Sequence, residues 1–109
     1  MKKITGVVAL SLLIAMCLPT STMAGVKKGQ RIYKKHFYKK CKFSGVMFSR
    51  HHLQAEWEEI YESGKLPEEA KNICPNLAIE TIKKEWWKEI YAYSVKYAKD
   101  GVPPNGCND

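Results

Sequence analysis

Cys41 is the residue with the widest chemical choice in this chain, and His36, Met47, His51 and His52 lie near it in sequence. A thiolate, a thioether and imidazoles are soft to borderline donors of the kind that hold copper or zinc. His52 and Glu56 are four residues apart, so on a helix they share a face and could add a carboxylate. No established ligand spacing such as H-E-x-x-H accompanies them, which leaves the metal reading weak.

The other chemistry open to Cys41 is oxidation. Cys74 and Cys107 are its two partners once a leader containing Cys17 is removed, and three pairings can be drawn. Cys41–Cys74 is the preferred pairing, because both residues are expected at helix ends whereas Cys107 lies on an irregular tail. Cys74–Cys107 is the alternative, and the third cysteine would then be a free thiol. A Cys41–Cys74 link would stabilise a small domain by roughly 3–4 kcal/mol in the chain-entropy treatment.

Catalysis finds little support. There is no glycine-rich phosphate loop, no nucleophile elbow and no isolated carboxylate pair. His36 and Cys41 are five residues apart, about 140° on a helix, so they point away from each other. The chain is not expected to be an enzyme.

The elements that must position these residues begin after a leader. Lys2 and Lys3, the apolar run Val7 to Leu18 and the small-residue exit Thr22-Met23-Ala24 read as a signal peptide over residues 1–24. The apolar run is too short to span a bilayer, and Met16 before Cys17 departs from a lipoprotein signal. A periplasmic or secreted location follows as the expectation. Residues 25–109 then form one small helical domain with an irregular tail over 100–109.

Loss of Lys2 and Lys3 lowers the net charge from +7 to +5. That sum conceals a strong polarity. Nine basic residues and no acidic one occur from Val26 to Arg50; seven basic and eleven acidic residues follow from His51 onward. Such a chain has a positive pole on its first helix.

Residues 26–42 have helical periodicity. Val26, Gly29, Tyr33, Phe37 and Cys41 gather on one side, while Lys28, Arg31, Lys35, Lys39 and Lys42 form a continuous stripe on the other. Gly45 is the expected stop, followed by a loop over 46–52. A second helix is predicted from about Leu53, with Leu53, Trp57 and Ile60/Tyr61 inward, acidic residues outward and Gly64 as its end. Pro67 opens a short third helix that stops near Cys74-Pro75. The last helix is predicted from about Leu77 to Lys99, on the recurrence of Ile79, Ile82, Trp86, Ile90, Tyr93 and Tyr97. No segment alternates as a strand does. The fold class is all-α, a bundle of three to four helices.

The opening Gly29-Gln30-Arg31-Ile32-Tyr33, with Cys41 eight residues further on, resembles small class I cytochromes c. The run IYAYSVKYAKDG is similar to the aromatic helix that closes those domains and packs across the first. The resemblance covers the two ends of the domain. It implies a cytochrome c-like fold and, in the family, haem attachment at C-x-x-C-H with electron transfer. Here Cys41 is followed by Lys42-Phe43-Ser44-Gly45, so Ser44 stands for the second cysteine and Gly45 for the histidine. Standard c-type attachment is absent. A haem bound irregularly would have to draw its axial ligands from His36, His51, His52 or Met47.

Two functions are therefore expected. One is an exported cytochrome c-like protein, an atypical haem-binding electron carrier docking through its basic helix face. The alternative is a haem-free, disulfide-stapled helical module that binds another periplasmic protein. In both, Lys28, Arg31, Lys35, Lys39 and Lys42 would meet an acidic exported partner or touch a membrane surface without spanning it. Nucleic acid is not an expected partner, since no array of stacking aromatics interleaves the lysines.

Overall fold

Residues 23–102 are described by the computed structural model; most of the expected leader, and the end of the tail including Cys107, lie outside them. The described residues contain helices and turns and no strand. Their fold is all-α.

The first helix runs unbroken from Met23 to Cys41 in three parts. An α-helix α1 (Met23–Ile32) leads into a π-helical turn (Tyr33–Phe37) and then a short α2 (Tyr38–Cys41). The inward residues explain the turn. Gly29, Tyr33, Phe37 and Cys41 recur every four residues, and on a regular α-helix each such step drifts by about 40°. A wider i→i+5 turn takes up that drift. Tyr33, Phe37 and Cys41 are accordingly all buried, with Val26 and Ile32 beside them.

The expected stop at Gly45 is corrected. The helix ends at Cys41, where Lys42 takes the left-handed conformation (φ 69°) and its N–H donates to the Tyr38 carbonyl at 2.8 Å. Gly45 instead opens a further helix, α3 (Gly45–Ser49), in the segment expected to be a loop. Ser44 is its N-cap, with Oγ accepting from the Met47 N–H at 3.2 Å. This short helix serves the core: the Ser49 carbonyl accepts the indole N–H of fully buried Trp57 at 2.8 Å.

Helix α4 (Gln54–Glu62) follows, with Leu53 as its N-cap. Trp57 is buried as expected, but Leu53 is 40% exposed, because the cap position precedes the inward face. Glu56 reaches back to accept the Leu53 N–H at 2.9 Å. Gly64, at φ 77°, makes the left-handed exit. Helix α5 (Leu66–Ile73) carries Pro67 in its first turn and ends at Cys74.

The last helix is shorter than the periodicity suggests. Helix α6 spans Trp87–Lys96; before it stand two 3₁₀ turns, Ile79–Thr81 and Lys84–Trp86, separated by extended backbone at Ile82 and Lys83. Three β-branched residues, Ile79, Thr81 and Ile82, lower helix propensity there. Three-residue turns preserve the inward spacing, so Ile82 is still buried and Ile79 and Trp86 still pack on the core.

The core is a chain of rings. Tyr33 stacks on Phe37 at 5.2 Å; Phe37 meets Phe48 and Trp87 edge-on at 5.9 Å; Phe48 stacks on Trp57 at 5.4 Å. Each fully buried aromatic contributes about 1.5–3 kcal/mol by leaving water. The first helix crosses α6 at Gly29, where an added Cβ would collide with the Glu89 carbonyl and stand 2.8 Å from the Tyr93 Cβ. The glycine lets two backbones touch.

Two further ties close the bundle. Cys41 and Cys74 form a disulfide with Cα atoms 5.1 Å apart, joining the end of the first helix to the end of α5. This is the preferred pairing, and it excludes Cys74–Cys107. Asp100, just past α6, accepts the Gln54 N–H at 2.8 Å and so caps the start of α4 across a separation of 46 residues.

Candidate docking surface

The π turn determines what the first helix shows to solvent. Its extra residue fans Lys34, Lys35 and His36 outward in succession, next to Arg31 and Lys28 one and two turns earlier. Across from them the second 3₁₀ turn delivers Trp86. The His36 and Trp86 rings lie 4.6 Å apart, and the Lys83 Nζ stands 5.2 Å from the Trp86 ring centroid. Between these elements is an open groove of about 450 Å³ lined by Lys28, Arg31, Ile32, Lys34, Lys35, His36 and Trp86. Its floor and walls are chiefly carbon: Ile32, Trp86 and the stems of the basic side chains.

Among the described residues, no carboxylate pairs with the groove's lysines or arginine. Their charges face solvent. Of the five residues in the basic stripe, Lys28, Arg31 and Lys35 border the groove; Lys39 and Lys42 are exposed but lie beyond the π turn and do not line it. Ile32, Lys34, Lys83 and Trp86 were not part of the expected site. No local signal joins Trp86 to His36, which are fifty residues apart in the chain.

Apart from Met47, the candidate ligands around Cys41 make other contacts. The Cys41 sulfur is bonded to Cys74. His36 is exposed, and its ring lies against Trp86. Met47 is 56% exposed on α3. His51 has Nδ1 at 3.0 and 3.1 Å from the Met47 and Phe48 carbonyls, two acceptors that require the proton on that nitrogen. His52 is half-buried. Its Nδ1 lies 3.3 Å from Glu56 Oε1 and its Nε2 2.8 Å from Glu69 Oε2.

These residues do not fit a haem held through Cys41. The sulfur has no free valence for a thioether, Ser44 is an N-cap, and Gly45 lies under the Tyr93 ring, whose hydroxyl would be 2.5 Å from an added Cβ. Nor do three or more His, Cys, Asp or Glu side chains converge on a metal position among the described residues.

Titration reflects the same division of roles. Burial raises the Tyr33 hydroxyl well above its ordinary range, with a smaller contribution from Tyr38, and the group donates to the Phe43 carbonyl at 2.7 Å. Burial also raises Tyr91, aided by Glu58 and Glu62 on α4; its ring stacks on Tyr61 at 4.2 Å. The Leu53 N–H, with His52 next in weight, lowers the Glu56 carboxyl.

No protein family, curated protein or solved structure matched the chain.

Proposed function

We propose that this chain is a haem-free, disulfide-stapled helical module, exported and used to bind an acidic exported protein through the cationic face of its first helix. The observation that carries the reading is the set of unpaired cations, Lys28, Arg31, Lys34 and Lys35, around one groove. Charges left unneutralised by their own fold are available to steer and orient a partner of opposite sign. The disulfide at Cys41 supports the haem-free part, since it occupies the atom through which the cytochrome-like attachment would begin. A cytochrome c-like descent is part of the proposal. Close contact of the first and last helices at Gly29 supports it, because the resemblance implies such a crossing.

The test is direct. The protein is exported from a host equipped for haem attachment, purified, and characterised by visible spectrum and intact mass. The reading requires a colourless protein lacking the leader, with the mass of the chain minus the hydrogens lost on disulfide formation. A Soret band with the added mass of haem would overturn it.

A further inference from the structure

The groove beside Trp86 has a composition more specific than a positively charged surface, and its interior is where the specificity lies. Lys28, Arg31, Lys34 and Lys35 surround an opening whose deeper surface is Ile32 and the partly buried Trp86 ring. From the geometry we infer that this groove seats an acidic peptide segment of the partner by one large apolar side chain flanked by carboxylates. The carboxylates meet the rim cations, and the apolar side chain displaces water from Ile32, Trp86 and the lysine stems. The inference rests on the docking function proposed above and names the kind of segment that the site takes.

Two alternatives fit less well. Membrane-surface helices project apolar side chains beyond their cations so that these enter the lipid. Here the arrangement is reversed: the exposed large apolar residues among those described are Tyr38, Met47, Leu53 and Val102, none of which lines the groove. A second copy could offer the acidic face of α4. That helix, however, projects no exposed large apolar side chain from Gln54 to Glu62 to fill the groove.

The experiment uses the purified mature protein and two synthetic peptides, an oligoglutamate with one central Phe and the same peptide with Ala in its place. Binding is followed by calorimetry at low salt, with anionic phosphatidylglycerol vesicles as a third probe. The Phe peptide is expected to bind about tenfold more tightly than the Ala peptide, the scale of partly burying one aromatic side chain. Trp86→Ala should remove that preference while retaining the weaker binding common to both peptides, and Lys28→Glu with Lys35→Glu should weaken both. If Trp86→Ala lowers the melting point enough to obscure its effect, Lys34→Glu provides the second variant, since its side chain is exposed. It should weaken both peptides and leave the melting curve in place.

Equal affinity for the two peptides would overturn the groove inference while leaving charge-based docking intact. Binding of vesicles but neither peptide would overturn it in favour of a lipid surface. Salt-sensitive self-association that excludes the peptides would overturn it in favour of a second copy. Failure of all three probes would overturn both the groove inference and the docking function.

Discussion

The first helix and the α4–α5 pair are both densely charged, yet they use charge differently. On α4 and α5 two carboxylates are tied into the fold: Glu56 closes on the Leu53 N–H and His52, and Glu69 meets His52 and Asn72. On the first helix, Lys28, Arg31, Lys34 and Lys35 have no such partner among the described residues. Charge that satisfies a neighbouring backbone or side chain supports stability. Charge left open contributes little to stability and is available for association. The groove cations should therefore tolerate reversal with little change in folding, and Glu56 and Glu69 should not.

The largest expected effect concerns the bond that joins the two regions. Cys41→Ser or Cys74→Ser should cost roughly 3–4 kcal/mol, because the linked cysteines have a sequence separation of 33 and the unfolded chain loses that constraint. Chemical denaturation of the variants against the oxidised parent provides the comparison. A midpoint unchanged from the parent would mean that the two halves are held together without the staple.

Gly29→Ala should cost about 1–3 kcal/mol, since the new methyl group must push the first helix off the Glu89 backbone and the Tyr93 side chain. An alanine on the exposed acidic face, Glu59→Ala, should by contrast be nearly neutral. Thermal melting of both variants sharpens the contrast between a helix positioned by backbone contact and one positioned by its caps.

Within the acidic half, His52→Ala should destabilise by about 1 kcal/mol, because it releases Glu56 and Glu69 and unlinks α4 from α5. Exposed reversals at Lys28 and Lys35 should stay within about 0.5 kcal/mol. Urea midpoints measured side by side would break the comparison if the order were inverted.

The pH profile should distinguish the regions in a smaller way. Glu56 has a lowered pKa in the folded protein, so its contribution is present above the ordinary carboxylate range and is lost as pH falls through its folded value. Tyr33 and Tyr91 have raised pKa values, so their contribution is present below the usual tyrosine value of 10.0 and is lost as pH rises above it. Melting temperature against pH should therefore fall on both sides. Glu56→Gln should flatten the acid limb, and Tyr33→Phe the alkaline limb.

Much of the frame was legible because it depends on local rules. The inward set Gly29, Tyr33, Phe37 and Cys41 follows from helical spacing, Pro67 and Gly64 from backbone preference, and Cys41–Cys74 from the placement of cysteines at helix ends. The stretch from Ile79 to Trp86 was misread for a definite reason. Three- and four-residue apolar spacing fits 3₁₀ turns as well as an α-helix, and the β-branched residues that favour interruption leave the spacing intact. The candidate docking surface was half legible. The stripe named Lys28, Arg31 and Lys35, but the π turn that detaches Lys39 and Lys42 from them arises from packing, and the Trp86 wall arises from tertiary contact.

Fluorescence quenching of Trp86 tests the open positive groove most directly. Trp57 is fully buried and Trp87 is 8% exposed, so Trp86 is the tryptophan most accessible to solutes. At low ionic strength, and with each ion scaled to its quenching of free tryptophan amide, iodide should quench it severalfold more efficiently than caesium, since unpaired cations concentrate the anion and repel the cation. Added salt should collapse the difference, and Lys28→Glu with Lys35→Glu should abolish or reverse it. Equal quenching by iodide and caesium on that scale in the unaltered protein would contradict the account, because the charges around the groove would then be neutralised rather than free for a partner.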